Sequence, residues 1–162
     1  MHLLFQMSGS PKEESIPKMI DVSKKPVIHR QAIAEGTIFL RESTMKLIHA
    51  SKIEKGEPFQ IASIGAIQAV KSTPTSLMLC HPLLIEATSV EFTESPDSIT
   101  VRVEVNAESR TGVEMEALNA VSTALLNIWD VVKKYEKDEK GQYPDTRIEK
   151  IHVVRKVKGE KK

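Results

Sequence analysis

Asp130 and Lys133 stand three positions apart in a segment with helical periodicity, so their side chains share one face. A carboxylate beside an ammonium group can move a proton or hold an anion, and an ordinary surface ion pair has the same spacing. Upstream, Thr111-Gly112-Val113-Glu114-Met115-Glu116 opens the same segment. Thr111 and Glu114 have the spacing of a capping box, which would give Glu114 a structural role. Glu116 is not used by that cap and points to a different side of the helix. Glu116 and Asp130 differ by 130 − 116 = 14 positions. They therefore fall within roughly 40° around the axis but about 21 Å apart along it. One small ligand does not comfortably touch both on a single copy of the helix. Antiparallel copies about a two-fold axis would bring them together, which points to a dimer interface.

Leu79-Cys80-His81-Pro82 ends another segment. A histidine fixed before a proline is a candidate general acid or base, or else a satisfied turn residue. Cys80 has no activating partner nearby in sequence and reads as a buried small residue. His2, His29, His49 and His152 lack the spacing of a compact metal motif. No metal ligand set is expected. Phosphate-loop and dinucleotide fingerprints are absent too. Lys55, Lys71, Lys133 and Lys156 each fall at or near an element end. Converging lysines would suit a phosphorylated substrate, although each taken singly is an ordinary surface lysine.

The frame for these groups is a chain of 162 residues with one Cys and a formal charge of 23 − 22 = +1. One domain, or a domain with a decorated end, fits that length. A single Cys excludes an internal disulfide scaffold and a zinc site built on several thiolates. No apolar run approaches the roughly 20 residues of a membrane span, and a cytoplasmic location is expected. From Arg147 to Lys162, seven basic and two acidic side chains give +5, which leaves −4 elsewhere. That end suits a small polyanion or a solubilising tail. Nucleic acid would want a larger positive field with exposed aromatics, and only seven residues are aromatic.

The elements follow from periodicity. Residues 1–18 read as a flexible segment, and the first extended element is expected from Thr37 to Arg41. A helix is predicted from Ser43 to Glu54, capped by Ser43 or Thr44 and closed by Gly56. A second runs from about Phe59 to Thr73, with Ile61, Ile64 and Ile67 as its face and small Ala62, Gly65, Ala66 and Ala69 permitting close backbone approach, and Pro74 stops it. Thr75 to Cys80 suits a short helical turn. Strands around Val90–Phe92 and Ile99–Asn106 form a hairpin turning at Ser95-Pro96-Asp97-Ser98. A long helix from Thr111 to about Tyr135 carries Met115, Leu118, Val121, Leu125, Ile128 and Val132 on one face. A last strand spans about Ile148 to Arg155. This order predicts an α+β fold, a ferredoxin-like split βαβ with a four-stranded antiparallel sheet and helices on one face. Val113, Ala117, Ala120, Ala124, Leu126, Trp129 and Val131 lie off the main stripe of the long helix. That all-round apolar surface implies burial on a second side, in an oligomer or in a thick monomeric core.

The local strings are more specific than the spacings. Leu79-Cys80-His81-Pro82-Leu83 and Thr111-Gly112-Val113-Glu114-Met115-Glu116-Ala117-Leu118 occur with Met19-Ile20-Asp21-Val22-Ser23, Lys55-Gly56, Ala69-Val70-Lys71, Thr73, and Trp129-Asp130 with Lys133. In this order and spacing they resemble the MoaC family, the cyclic pyranopterin monophosphate synthases of molybdenum cofactor biosynthesis. The resemblance covers residues 19–156, with a short basic tail, 157–162, beyond it. It implies a lyase that converts (8S)-3′,8-cyclo-7,8-dihydroguanosine 5′-triphosphate to cyclic pyranopterin monophosphate and pyrophosphate, by acid–base catalysis without net redox. No cofactor is implied, and a divalent cation accompanying the triphosphate is left open. The expected assembly is a homohexamer, a trimer of dimers with interfacial active sites, and neither nucleic acid nor membrane is a partner. By resemblance, Asp130 is the acid–base residue, Lys133 tunes it, and His81 and Lys55 complete the catalytic set. Leu79, Cys80, His81, Glu114, Met115, Glu116, Lys71 and Lys156 would bind substrate, with Lys55 and Lys156 toward the triphosphate.

Three features depart from the family pattern. Ala62-Ser63 stands where many relatives have Ala-Arg, which removes one basic group. Val157-Lys158-Gly159-Glu160-Lys161 replaces a glycine-rich tail, so Lys156 and Lys158 compete for the phosphate role. Trp129 stands where Tyr is common. A non-catalytic nucleotide-binding protein on the same scaffold is the main alternative, and an RNA-associated oligomer a remote one.

Overall fold

The computed structural model describes residues 16–159. Seven elements follow one another: β1 (Ile28–Phe39), α1 (Glu42–His49), α2 (Pro58–Ser76), β2 (Ala87–Ser95), β3 (Ser98–Ser109), α3 (Glu114–Glu136) and β4 (Arg147–Lys158). The strands form one sheet in the order β2-β3-β1-β4. Every neighbouring pair is antiparallel. This is the expected α+β split βαβ arrangement, with helices packed on one face. No helix is long and apolar enough to cross a membrane, among the described residues.

Alternation decides which face of the sheet is buried. Ile99, Val101, Val103, Val105 and Ala107 on β3 are all fully buried, as are Ala32, Ala34 and Ile38 on β1. They meet the stripe Val121, Leu125, Ile128 and Val132 of α3. The opposite face is polar: Thr37 and Thr100 hydroxyls lie 2.9 Å apart, and Arg102 donates to Glu35 at 3.1 Å. The second side of α3 is covered within the chain. Asn119 Nδ2 of α3 donates to the Ala69 carbonyl of α2 at 3.0 Å, and Ala62, Ala66, Ala117, Ala120 and Ala124 are buried in the same core. The apolar circumference of α3 is therefore accounted for largely by α2, leaving Leu126 exposed.

Several local expectations are corrected. Strand β1 begins at Ile28, nine residues before Thr37, because its first half pairs with the far ends of both β3 and β4. Helix α1 starts after Arg41 and ends at His49, so neither Ser43 nor Thr44 caps it, and Gly56 lies in the next turn with a φ of 118°. Helix α2 starts on Pro58, with the Glu57 carboxylate accepting from the Phe59 and Gln60 amides. It buries Ala62, Ala66, Ala69, Val70 and Thr73 and turns Ile64 and Ile67 outward, because small residues let its backbone approach α3. Pro74 does not stop it. The helix runs on to Ser76, since a proline in the last turn forfeits only one bond. A single turn, Cys80 N–H to Leu77 carbonyl at 2.9 Å, follows. Helix α3 begins at Glu114 rather than Thr111. Strand β4 continues to Lys158, three residues past Arg155. The expectation for residues 1–15 and 160–162 lies outside the described residues.

Candidate active site

The two ends of α3 carry different chemistry. At the C-terminal end, Asp130 lies between two ammonium groups. Lys133 Nζ reaches its Oδ1 at 2.7 Å, and Lys55 Nζ reaches its Oδ2 at 2.7 Å and its backbone carbonyl at 3.0 Å. Lys133 comes from the next turn of the same helix, whereas Lys55 arrives from the connection between α1 and α2. The hydrogen bond from Lys133 is the largest influence on Asp130, followed by that from Lys55. These bonds, with the two positive charges added, outweigh the opposing effect of desolvation and hold its carboxyl down at about 2. Lys133 is in turn raised, first by its hydrogen bond to Asp130. At neutral pH the trio carries one negative and two positive charges, a surplus cation facing solvent.

The N-terminal end opens on a pocket of about 390 Å3. Leu79, Cys80, His81, Met115 and Glu116 are brought together in its lining. Glu116 is only 3% exposed. Burial pushes its carboxyl above the ordinary range, its own backbone N–H opposes this, and the Glu114 charge adds to the rise. Cys80 is half-buried rather than fully buried. Burial and then the Glu116 charge push its thiol up, so it is no ready thiolate nucleophile. His81 makes no hydrogen bond among the described residues, which leaves its ring free for a ligand. Lys18, Ile20, Val22 and Lys25 supply another wall. Asp21 between them has a depressed carboxyl, chiefly through the Ser23 backbone N–H at 2.8 Å, with the His81 charge a small further cause.

A smaller pocket of about 150 Å3 adjoins the first across Gly112, which lines both. Its walls include Arg30, Glu114, Lys156 and Lys158. The expected capping box is not formed: the residue before α3 is Val113, without a side-chain cap. Glu114 instead accepts from Lys156 Nζ at 2.9 Å, a partner 42 residues away. Burial alone would raise the Glu114 carboxyl. The Lys156 hydrogen bond, its own backbone N–H, and the Lys156 and Arg30 charges outweigh that and lower it. A Cβ at Gly112 would lie 1.8 Å from a Glu114 carboxylate oxygen, so glycine makes room for this carboxylate.

Arg30 was missed by the sequence reading. It is 8% exposed and donates to the Ser109 and Arg110 carbonyls at 3.4 and 3.2 Å. Its signal was available: Arg30 occupies the same alternation as Ala32, Ala34 and Ile38, and a charge in an apolar series needs a reason. Lys158 stands directly opposite Arg30 across the β1–β4 pair. Like charges so placed repel unless an anion lies between them. Lys18 and Lys25 were also missed. Lys71, by contrast, is exposed on α2, lines neither pocket, and pairs with none of the described residues. No group of three or more His, Cys, Asp or Glu side chains is placed to hold a metal ion, among the described residues.

The model of the MoaC family matches residues 19–159. A protein of Methanothermobacter thermautotrophicus named a probable cyclic pyranopterin monophosphate synthase accessory protein is 52% identical, over 90% of this chain and 92% of its own length. Probable cyclic pyranopterin monophosphate synthases of Pyrococcus horikoshii and Sulfolobus acidocaldarius are 52% and 51% identical. These cover 90% and 86% of this chain, and 92% and 98% of the relatives.

Proposed function

This chain belongs to the MoaC family, and from that membership we propose that it is the lyase that converts (8S)-3′,8-cyclo-7,8-dihydroguanosine 5′-triphosphate to cyclic pyranopterin monophosphate and pyrophosphate. The observation that carries the proposal is Asp130 held between Lys55 and Lys133. An anionic substrate meets two ammonium groups there. The carboxylate between them keeps both oriented and is ionised at any physiological pH. It therefore begins the reaction as a proton acceptor. A triphosphate that draws the lysines away weakens their hold on Asp130, raises its affinity for a proton and lets it return that proton later. The same ammonium groups stabilise charge on the departing pyrophosphate.

Recognition is assigned to the other end. Glu116, with its own backbone N–H as support, offers two oxygens to the amide and amine edge of the guanine-derived ring. His81 lies in the same pocket and is positioned to carry a proton to the opening ring. Arg30 and Lys158 form the stronger second phosphate contact. Lys156 is already engaged by Glu114, so Lys158 is the better candidate of the two.

Because α3 is one unbroken helix from Glu114 to Glu136, its two functional ends stay about 21 Å apart. The site is proposed to be completed by the second copy in a dimer, with α3 helices antiparallel and Glu116 of one chain facing Asp130 of the other. Three such dimers would make the homohexamer that the family resemblance implies. Exposed Ile64, Ile67 and Leu126 supply apolar surface for contacts between copies.

The test is turnover. Purified protein incubated with the cyclised GTP intermediate is expected to release pyrophosphate and the pterin product in equal amounts. Tight binding of the intermediate without either product would instead support a non-catalytic nucleotide-binding protein.

A further inference from the structure

Lys55 is the one member of the Asp130 cluster that does not sit on α3. Its flexible four-carbon stem gains little unless its root is fixed. We propose that Tyr135 is a positioning residue: its hydroxyl anchors the backbone N–H of Glu54, the residue before Lys55, to α3 and so aims the Lys55 ammonium at Asp130. This rests on the catalytic reading of the Lys55–Asp130–Lys133 cluster and adds to it a residue outside the pockets and the motif strings.

The geometry is direct. Glu54 donates its backbone N–H to the Tyr135 hydroxyl at 3.0 Å. Tyr135 is packed against the hydrophobic core and is thereby fixed itself. On the other side of Glu54, Ile53 is buried, and the Gly56 N–H closes the turn onto the Ile53 carbonyl at 3.2 Å. Gly56 adopts a φ of 118°, which a side-chain-bearing residue rarely takes. The Lys55 root is thus held from both directions. Its ammonium then makes two bonds to Asp130, to the carboxylate and to the backbone carbonyl.

A second link joins the same turn to α3, the ion pair of Lys134 with Glu54. Both its side chains are about two-thirds exposed, and such pairs contribute little. The hydroxyl-to-amide bond is the effective latch. The charged groups around Asp130 are Lys55 from the turn and Lys133 from its own helix, with Tyr143 from the following loop acting on Lys133. Tyr135 reaches Asp130 only through Lys55.

The experiment follows the Asp130 carboxyl by NMR titration in the full chain without substrate, and kcat and KM with substrate. The comparison is between wild type, Tyr135→Phe, Lys55→Met and Lys134→Gln. Lys55→Met should raise the Asp130 midpoint most. Tyr135→Phe should raise it less, lower kcat by about fivefold, and leave KM within about twofold. Lys134→Gln should change neither. A folded Tyr135→Phe protein with the wild-type midpoint would overturn the proposal. A raised midpoint in a chain whose wild type does not turn over would leave the latch standing and sink the lyase reading alone.

Discussion

Asp130→Asn is expected to lower kcat for pyrophosphate release by about a thousandfold, with the fold and its thermal stability nearly unchanged. Asparagine keeps the size of the side chain but accepts no proton, and its amide can no longer balance two ammonium groups. Binding of the triphosphate should persist or tighten, because removing one negative charge leaves two uncompensated lysines at the site. The loss therefore falls on kcat rather than KM. A structural ion pair would behave differently. Its side chains are about half exposed, and removing such a pair perturbs stability slightly and activity not at all. The pH dependence separates the two roles further. A depressed carboxyl contributes its pairing fully above the ordinary value of 3.8, and loses it only as pH falls through about 2. Any acid limb of free-enzyme activity well above that range thus belongs to another group.

Glu116→Gln is the second large effect, and its sign on stability is opposite to its sign on activity. Gln retains the shape but turns donor hydrogens toward the donor edge of the guanine-derived ring. A drop in kcat/KM of about a hundredfold is expected, which is the loss of paired hydrogen bonds to a charged acceptor. Stability should not fall. The folded state raises the Glu116 carboxyl above its ordinary 4.5, chiefly by burial, so it binds the proton more tightly than the unfolded chain does. Stability then declines as pH rises from 4.5 through the raised value, and the penalty is complete at higher pH. Gln carries no such penalty. A melting temperature measured above that window should be equal to or higher than wild type, while activity falls. A buried carboxylate that costs stability and serves no ligand would give the first result without the second.

How far these groups could be seen in the sequence depended on the range of the contacts. Val101, Val103 and Val105 alternate with polar residues, and β3 was legible because its period is local. Asp130 and Lys133 were legible for the same reason, three positions apart on one helix. The α2 face is legible in part: small Ala62, Ala66 and Ala69 mark the close backbone approach, but bulk wrongly suggests burial for Ile64 and Ile67. Ile64 and Ile67 turn outward, Ile61 packs against the core, and the alanines go inward where two helix backbones approach. Glu114 reads both as a cap and as a substrate contact; the cap, inferred from four local residues, is not formed, and a lysine on the last strand takes its carboxylate. Lys55 could be named by resemblance, but its partner lies 75 residues away. Arg30 escaped because the start of β1 carries His29, Arg30 and Gln31, which broke the alternation used to find the strand.

The composite site itself has one decisive measurement. Asp130→Asn and Glu116→Gln chains, each retaining about a hundredth of wild-type activity or less alone, are co-expressed in equal amounts with different tags and purified as mixed assemblies. If each site takes Glu116 from one chain and Asp130 from the other, a mixed dimer holds one intact site and one doubly altered site. Random pairing then restores about a quarter of wild-type pyrophosphate release. If both residues of a site came from the same chain, every site would carry one lesion, and the mixture would stay as inactive as its parents.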